Sequence, residues 1–177
     1  AESPGPSVSK LVPKVQSTAK ILYTIYIILT IVEIIFLLIG KMPLFDTLCL
    51  SFGTAGTGGF GIKNDSIASY STYNQVVITV FMILFGINFN AYYLLLTKKV
   101  MQAAKNEEVR YYLGIIGLAI VAIAINTREM FTSFGRAFQQ AAFQVGSIIT
   151  TTGYATTDFN VWPVFSKTIL VILMFVG

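Results

Sequence analysis

Four runs of apolar residues, 21–39, 73–97, 111–125 and 161–177, govern what this chain can fold into. A run of about 20 residues coiled as an α-helix matches the hydrocarbon core of a bilayer. In lipid every backbone N–H and C=O must be satisfied within the segment, so each run is expected to be helical and the fold all-α. The intervals between the runs carry as much information. Residues 43–54 and 134–148 are helix-compatible but too short or too polar to cross. Each leads into a stretch without charge, AGTGGFG at 55–61 and ITTTGYA at 149–155. Polar, glycine-bearing backbone at membrane depth is tolerated only where protein buries it or it lines a watery cavity.

The chain therefore divides into a leader, 1–20, and two units of like order joined by a polar link, 98–110. The first unit is span 21–39, short helix 43–54, loop 55–61 and span 73–97. The second is span 111–125, short helix 134–148, loop 149–155 and span 161–177. Laying Gly59-Phe60 over Gly153-Tyr154 aligns TGGFG with TTGYA. Laying Gly86 over Gly177 aligns VITVFMILFG with TILVILMFVG, after three extra residues in the first copy's outer loop. An insertion in a loop is readily tolerated, so the two matches describe one internal repeat. Within residues 1–9, Pro4, Gly5 and Pro6 predict a loop, and the basic and apolar regions of a signal peptide are missing there.

Composition agrees and narrows the choices. The chain is 55% hydrophobic and only 11% charged, outside the soluble range. It has no histidine and a single cysteine, Cys49, which excludes the common zinc sites and Ser-His-Asp or Cys-His catalysis. No carboxylate pair is spaced for acid–base work, so an enzyme is not expected and no cofactor is implied. The net charge of +4 comes without interleaved basic and aromatic residues, and no nucleic-acid partner is expected. Gly56–Gly61 fits GxGxxG, but no strand precedes it and no acid follows at the required distance, so the match is accidental. Lys10, Lys14, Lys20, Lys98, Lys99, Lys105 and Arg110 lie on one side of the spans, against Lys41, Lys63, Arg128, Arg136 and Lys167 on the other. By the positive-inside rule the N-terminus and the link face the cytoplasm, and both loops dip in from outside.

Uncharged loops entered by short helices suit a dehydrated monovalent cation. Such an ion needs several oxygen ligands of modest field strength, so that it binds and still leaves. Backbone carbonyls provide these where residues adopt unusual dihedrals, which glycine does at little steric cost. The expected ion-filter residues are Gly56, Thr57, Gly58, Gly59 and Phe60 in the first loop, with Thr150, Thr151, Thr152, Gly153 and Tyr154 in the second. Asp65 and Asp158, just outside, either concentrate cations or are ordinary solvated acids. Glu33, inside the first span, is either a functional carboxylate or a structural hydrogen-bonding group.

The strings DTLCLSFGTAGTGGFG, FGINF and SIITTTGYATTDF closely resemble the second and third repeats of the bacterial Trk/Ktr-type potassium uptake family (TrkH-like, related to KtrB). The resemblance covers nearly the whole chain. It implies an all-α membrane protein of two tandem span–pore-helix–filter-loop–span repeats, half of a four-repeat potassium-channel-like pore. It also implies K+ as the transported ion, held at Thr57, Gly58, Gly59, Thr151, Thr152 and Gly153, in a multi-pass protein of the bacterial plasma membrane. Family members carry a gate below the filter, which makes Gly177, Gly86 and Asn88 gate-adjacent. Implied partners are membrane lipid, the missing pore repeats, a second copy in a homodimer, and a TrkA-like cytosolic nucleotide-binding regulatory ring. The chain would then be a fragment of the full subunit. A non-conducting scaffold and a Na+-permeable transporter of the same family are the alternatives. A secondary transporter with an inverted repeat is disfavoured, because both copies start on the same side.

Overall fold

A computed structural model describes the backbone from residue 8 and side chains from residue 15. The loop expected at residues 1–9 lies outside the described residues as far as residue 7, and residues 8 and 9 already belong to the first helix. Eight α-helices follow among the described residues: α1 (Val8–Ile39), α2 (Leu44–Ala55), α3 (Thr72–Gly86), α4 (Phe89–Leu96), α5 (Val100–Ala104), α6 (Glu107–Thr127), α7 (Phe134–Ile149) and α8 (Val164–Val176). Short 3₁₀ turns at Arg128–Met130 and Phe159–Val161 lead into α7 and α8. By length and composition, Val15–Ile39 and Glu107–Met130 can each cross a membrane, and the bent pair α3–α4 would make a third span.

Local chemistry sets the boundaries. Pro43 precedes α2 and Pro163 precedes α8, where a missing N–H costs nothing. The hydroxyls of Ser71 and Ser133 accept the backbone N–H of Asn74 and Arg136, and the Asn106 side chain accepts that of Glu108. These caps satisfy donors that helix geometry leaves free at the starts of α3, α7 and α6.

The second span departs from the sequence expectation. Residues 73–97 do not form one helix: α3 and α4 meet at 87° across Ile87 and Asn88. Ile87 is extended, and the Asn88 side chain accepts the Asn90 N–H at 2.9 Å, so a new helix is capped where the old one stops. The carbonyls that α4 no longer serves find other donors. Tyr92 Oη donates to Leu84 O at 2.7 Å, and Tyr112 Oη to Ile83 O at 3.1 Å. Tyr112 reaches that carbonyl across Gly86, where a methyl group would stand 2.2 Å from its hydroxyl. Asn88 Nδ2 also donates to the carboxylate of Glu108, fastening the bend to α6.

Each unit builds its own core. Leu37, Leu50, Ile67, Ile78 and Met82 are fully buried among α1, α2 and α3. Ile123, Ala124, Ala141, Val145, Trp162 and Leu170 fill the space between α6, α7 and α8. Phe143 and Tyr154 belong to the second unit in sequence but lie in the first unit's core. The seam between units is α3 against α7. Its polar end is a glutamine clamp. Gln139 Nε2 donates to Gln75 Oε1 at 2.9 Å, while Gln75 Nε2 donates to the carbonyls of Ile67, Ala68 and Tyr70 at 3.2–3.3 Å. Arg136 adds a 3.0 Å bond to Thr72 Oγ1.

Candidate functional site: two handed loops in contact

Both short helices end in the same way. The α2 helix stops at Gly56, the Thr57 N–H donates to Thr54 O at 3.2 Å, and the Gly58 N–H donates to Gly53 O at 2.8 Å. The α7 helix stops at Thr150, the Thr151 N–H donates to Ile148 O at 3.0 Å, and the Thr152 N–H donates to Ser147 O at 2.9 Å. This is the Schellman arrangement, whose left-handed residue is usually glycine. Here threonine occupies it twice, with φ 49° at Thr57 and 57° at Thr151. A β-branched residue at positive φ is a real outlier, costing about 1–3 kcal/mol, and such strain gathers at functional sites.

The handedness then repeats. Two residues on, Gly59 has φ 68° and Gly153 has φ 87°, with no positive φ at Gly58 or Thr152 between. The offset from 57 to 151 and from 59 to 153 is the same 94 positions as in the sequence alignment of the two loops. Side-chain hydroxyls support the second loop from behind: Ser147 Oγ donates to Tyr154 O at 2.6 Å, and Thr150 Oγ1 donates to Gly146 O at 2.6 Å. Thr150 and Thr152 hydroxyls lie 2.8 Å apart. Thr156 hydrogen-bonds Gln140, tying the loop's outer end to α7.

The loops touch through backbone. A methyl group on Gly59 would lie 1.8 Å from Thr152 O, so only glycine fits both the φ and the contact. Tyr154 is fully buried; its hydroxyl donates to Leu50 O at 3.2 Å and sits where a side chain on Gly53 would go. Farther out, the Ile67 N–H donates to Ala155 O at 3.0 Å.

The sequence-predicted residues thus divide. Residues 56–60 and 150–154 come together as two adjoining loops at the C-terminal, partially negative ends of α2 and α7. Gly86 and Gly177 converge from two helices on the base of the second loop. A methyl group on Gly86 would meet Thr150 Cγ2 at 2.6 Å, and one on Gly177 would meet Ile149 O at 2.0 Å. Asn88 instead holds the α3–α4 bend. Asp65 and Asp158 are exposed and engaged locally, with Ser69 and Asn160 respectively. Glu33 is fully buried on α1, and both carboxylate oxygens lack a hydrogen-bond partner. Sequence reasoning missed the glutamine clamp, whose only signal was polar residues on otherwise apolar helices. Among the described residues, no cluster of three His, Cys, Asp or Glu could hold a metal ion.

The family model of the TrkH cation transport proteins matches residues 5–118. The chain belongs to that family. It is 34% identical over 185 residues to the Trk system potassium uptake protein TrkH of Vibrio parahaemolyticus, aligning all of this chain with 38% of that one. Against TrkH of Salmonella typhimurium the identity is 30% over 182 residues, again with 38% of the relative covered. The crystal structure of the potassium transporter TrkH from Vibrio parahaemolyticus superposes with a TM-score of 0.83 at 30% identity, covering 91% of this chain and 36% of that one. The chain thus spans under two-fifths of the length of the TrkH relatives it matches. It is an all-helical membrane protein of the TrkH family, similar to a fragment of the larger relatives.

Proposed function

We propose that this chain forms two of the filter walls of a channel-like potassium uptake protein, completed by further repeats of the same subunit. The observation that carries the reading is the doubled handedness, 57/59 and 151/153, in two loops whose backbones touch. In an ordinary strand successive residues face opposite ways. Backbone that alternates between positive and negative φ instead turns successive carbonyls toward one side, the arrangement a dehydrated cation needs. No charged side chain lies within either loop, so the field comes from dipoles. K+ would be held by Thr57, Gly58, Gly59, Thr151, Thr152 and Gly153, with Gly56, Phe60, Thr150 and Tyr154 shaping the loops. The relatives, named as a potassium uptake protein and a potassium transporter, support K+ as the ion.

Gly86 and Gly177, packed against residues 149–150, stand where a gate beneath the filter would act, with Asn88 holding the bend beside them. The excess of basic residues near the span ends supports a cytoplasmic N-terminus and 98–110 link, in a protein of the bacterial plasma membrane. The link would face a TrkA-like nucleotide-binding ring, and the full subunit would pair as a homodimer within membrane lipid. The test is ion uptake by the full-length polypeptide in cells that cannot otherwise grow at low K+. Gly153→Ser should reduce the preference for K+ over Na+, since a side chain there meets open space but strains the backbone. Unchanged selectivity in a well-folded variant would remove the filter assignment.

A further inference from the structure

The glutamine clamp is one side of a closed circuit. Gln75 Nε2 donates to Ile67 O at 3.3 Å, and the Ile67 N–H donates to Ala155 O at 3.0 Å. Ala155 is followed by Thr156, whose hydroxyl donates to Gln140 Oε1. Gln140 Nε2 returns to Gln75 Oε1 at 3.4 Å, and Gln139 Nε2 reinforces that longest joint at 2.9 Å on the same oxygen. Ile67, Gln75, Gln140 and Thr156 are all buried within this chain, so the circuit is complete without any further unit.

The direction of the circuit is forced. The Gln75 amide faces the carbonyls of Ile67, Ala68 and Tyr70, which can only accept, so its nitrogen must lie there. Its oxygen is then left for α7 and needs a donor, which Gln140 supplies with its own nitrogen. That in turn leaves Gln140 Oε1 as the acceptor for Thr156. Reversing either amide sets oxygen against oxygen, and buried polar groups left in that way are costly. A buried network satisfied throughout holds its members rigidly in one arrangement.

The place of the circuit gives that rigidity a consequence. Ala155 directly follows Tyr154, whose carbonyl is held by Ser147 Oγ. The Ala155 N–H donates to Ser66 Oγ at 3.3 Å, and its carbonyl accepts from Ile67. Ser66 and Ile67 lie in the segment 62–71, which runs from the first loop to α3. One segment thus continues the first loop and braces the second.

We propose that this circuit sets where the outer ends of the two loops stand relative to one another, which makes Thr156 and Gln140 positioning residues for ion selectivity. Neither touches an ion. Both act through Ala155 on the proposed carbonyl ligands at 151–153. A binding constellation discriminates only if supporting bonds hold it to within about 0.5 Å. The inference rests on the pore reading for what the loops bind.

The test uses the full-length polypeptide, with K+ against Na+ flux measured in proteoliposomes and unfolding midpoints in detergent. Thr156→Val removes the hydroxyl at nearly constant shape and should lower the K+ preference by about fivefold, the scale of one buried hydrogen bond. Gln140→Met opens the same joint from the other side, so the double variant should lose no more than either single one. Thr156→Ser keeps a hydroxyl and should keep the preference. Gln139→Met separates the circuit from mere seam strength. It removes the shorter 2.9 Å bond, yet the circuit stays closed through Gln140, so selectivity should hold even where the midpoint falls. Should Gln140→Met fail to fold, the two variants at position 156 decide. Unchanged preference in a folded Thr156→Val overturns the proposal. So does a loss in Thr156→Ser or Gln139→Met as large as in Thr156→Val. A parent without K+ preference removes the pore reading and this proposal together, whereas a selective parent with an equally selective Thr156→Val removes only the circuit's role.

Discussion

Replacing the strained threonines by glycine should stabilise the fold and blunt its selectivity. Thr57 and Thr151 hold φ of 49° and 57°. A left-handed conformation costs an L-residue roughly 1–2 kcal/mol, toward the upper end for a β-branched one. Glycine removes that cost but adds freedom to the unfolded chain, about 0.5–1 kcal/mol in the other direction. The net expectation for Thr151→Gly is a gain of about 0.5–1 kcal/mol, because the Schellman hydrogen bonds come from backbone and survive the change. Thr152→Gly is the control. Its φ is not positive, and its hydroxyl is spent on Thr150, so it should lose about 1–2 kcal/mol.

The assay has two arms on the full-length polypeptide: unfolding midpoints in detergent, and K+ against Na+ flux in proteoliposomes. Glycine at position 151 admits loop geometries that threonine forbids, so the carbonyls should lose definition and Na+ should enter more readily. Natural proteins commonly keep strain of this kind where function needs it. A destabilised Thr151→Gly would show that the φ costs nothing. A stabilised Thr151→Gly with unchanged selectivity would show that the strain has no part in ion choice. Either result refutes the reasoning.

Three further expectations follow from individual contacts. Gly53→Ala ought to help a helix by about 1 kcal/mol, yet its methyl would stand 2.2 Å from Tyr154 Oη, so the single variant should be destabilised. Adding Tyr154→Phe removes the clashing oxygen and should recover the loss; strictly additive unfolding midpoints would contradict this. Glu33→Met replaces a buried carboxyl without partners by a side chain of similar volume, and stability should hold or rise by about 1–3 kcal/mol. A marked loss would mean that Glu33 has a partner in the full-length protein. Tyr70 Oη donates to Asp46 Oδ2 at 2.8 Å, and burial followed by the Asp46 charge raises its pKa above the ordinary value. That contribution is whole below the unfolded tyrosine's pKa and fades as pH climbs past it. Above about pH 10 Tyr70→Phe should therefore lose stability less steeply than the parent, with the two profiles parallel below it. Profiles parallel throughout would exclude the mechanism.

Much of this fold was legible because lipid simplifies the code: apolar length gives helices, and uncharged glycine-rich intervals between them give loops. Short helices lie at Leu44–Ala55 and Phe134–Ile149, in the intervals where the polar, glycine-flanked stretches 43–54 and 134–148 suggested them. The bend at Ile87 and Asn88 was less legible. Gly86, Asn88 and Asn90 marked the interruption, but whether a helix tolerates such residues depends on who satisfies the freed carbonyls. Tyr92 and Tyr112 do so from 8 and 29 positions away. The glutamine clamp was illegible for the same reason, since Gln75 and Gln139 meet across 64 residues.

What the two loops hold in common bears on how they act. Gly58 stands over Thr152 and Phe60 over Tyr154, so their side chains differ in size, polarity and environment. Their positive dihedrals coincide position for position, and threonine bears the strain in both. A site that coordinated through side chains would need like side chains at like positions. One that coordinates through main-chain oxygens needs only like backbone, and it can leave a residue such as Tyr154 free to serve packing. Strain kept in both copies, where glycine would relieve it, is what the proposed carbonyl filter would require of these loops.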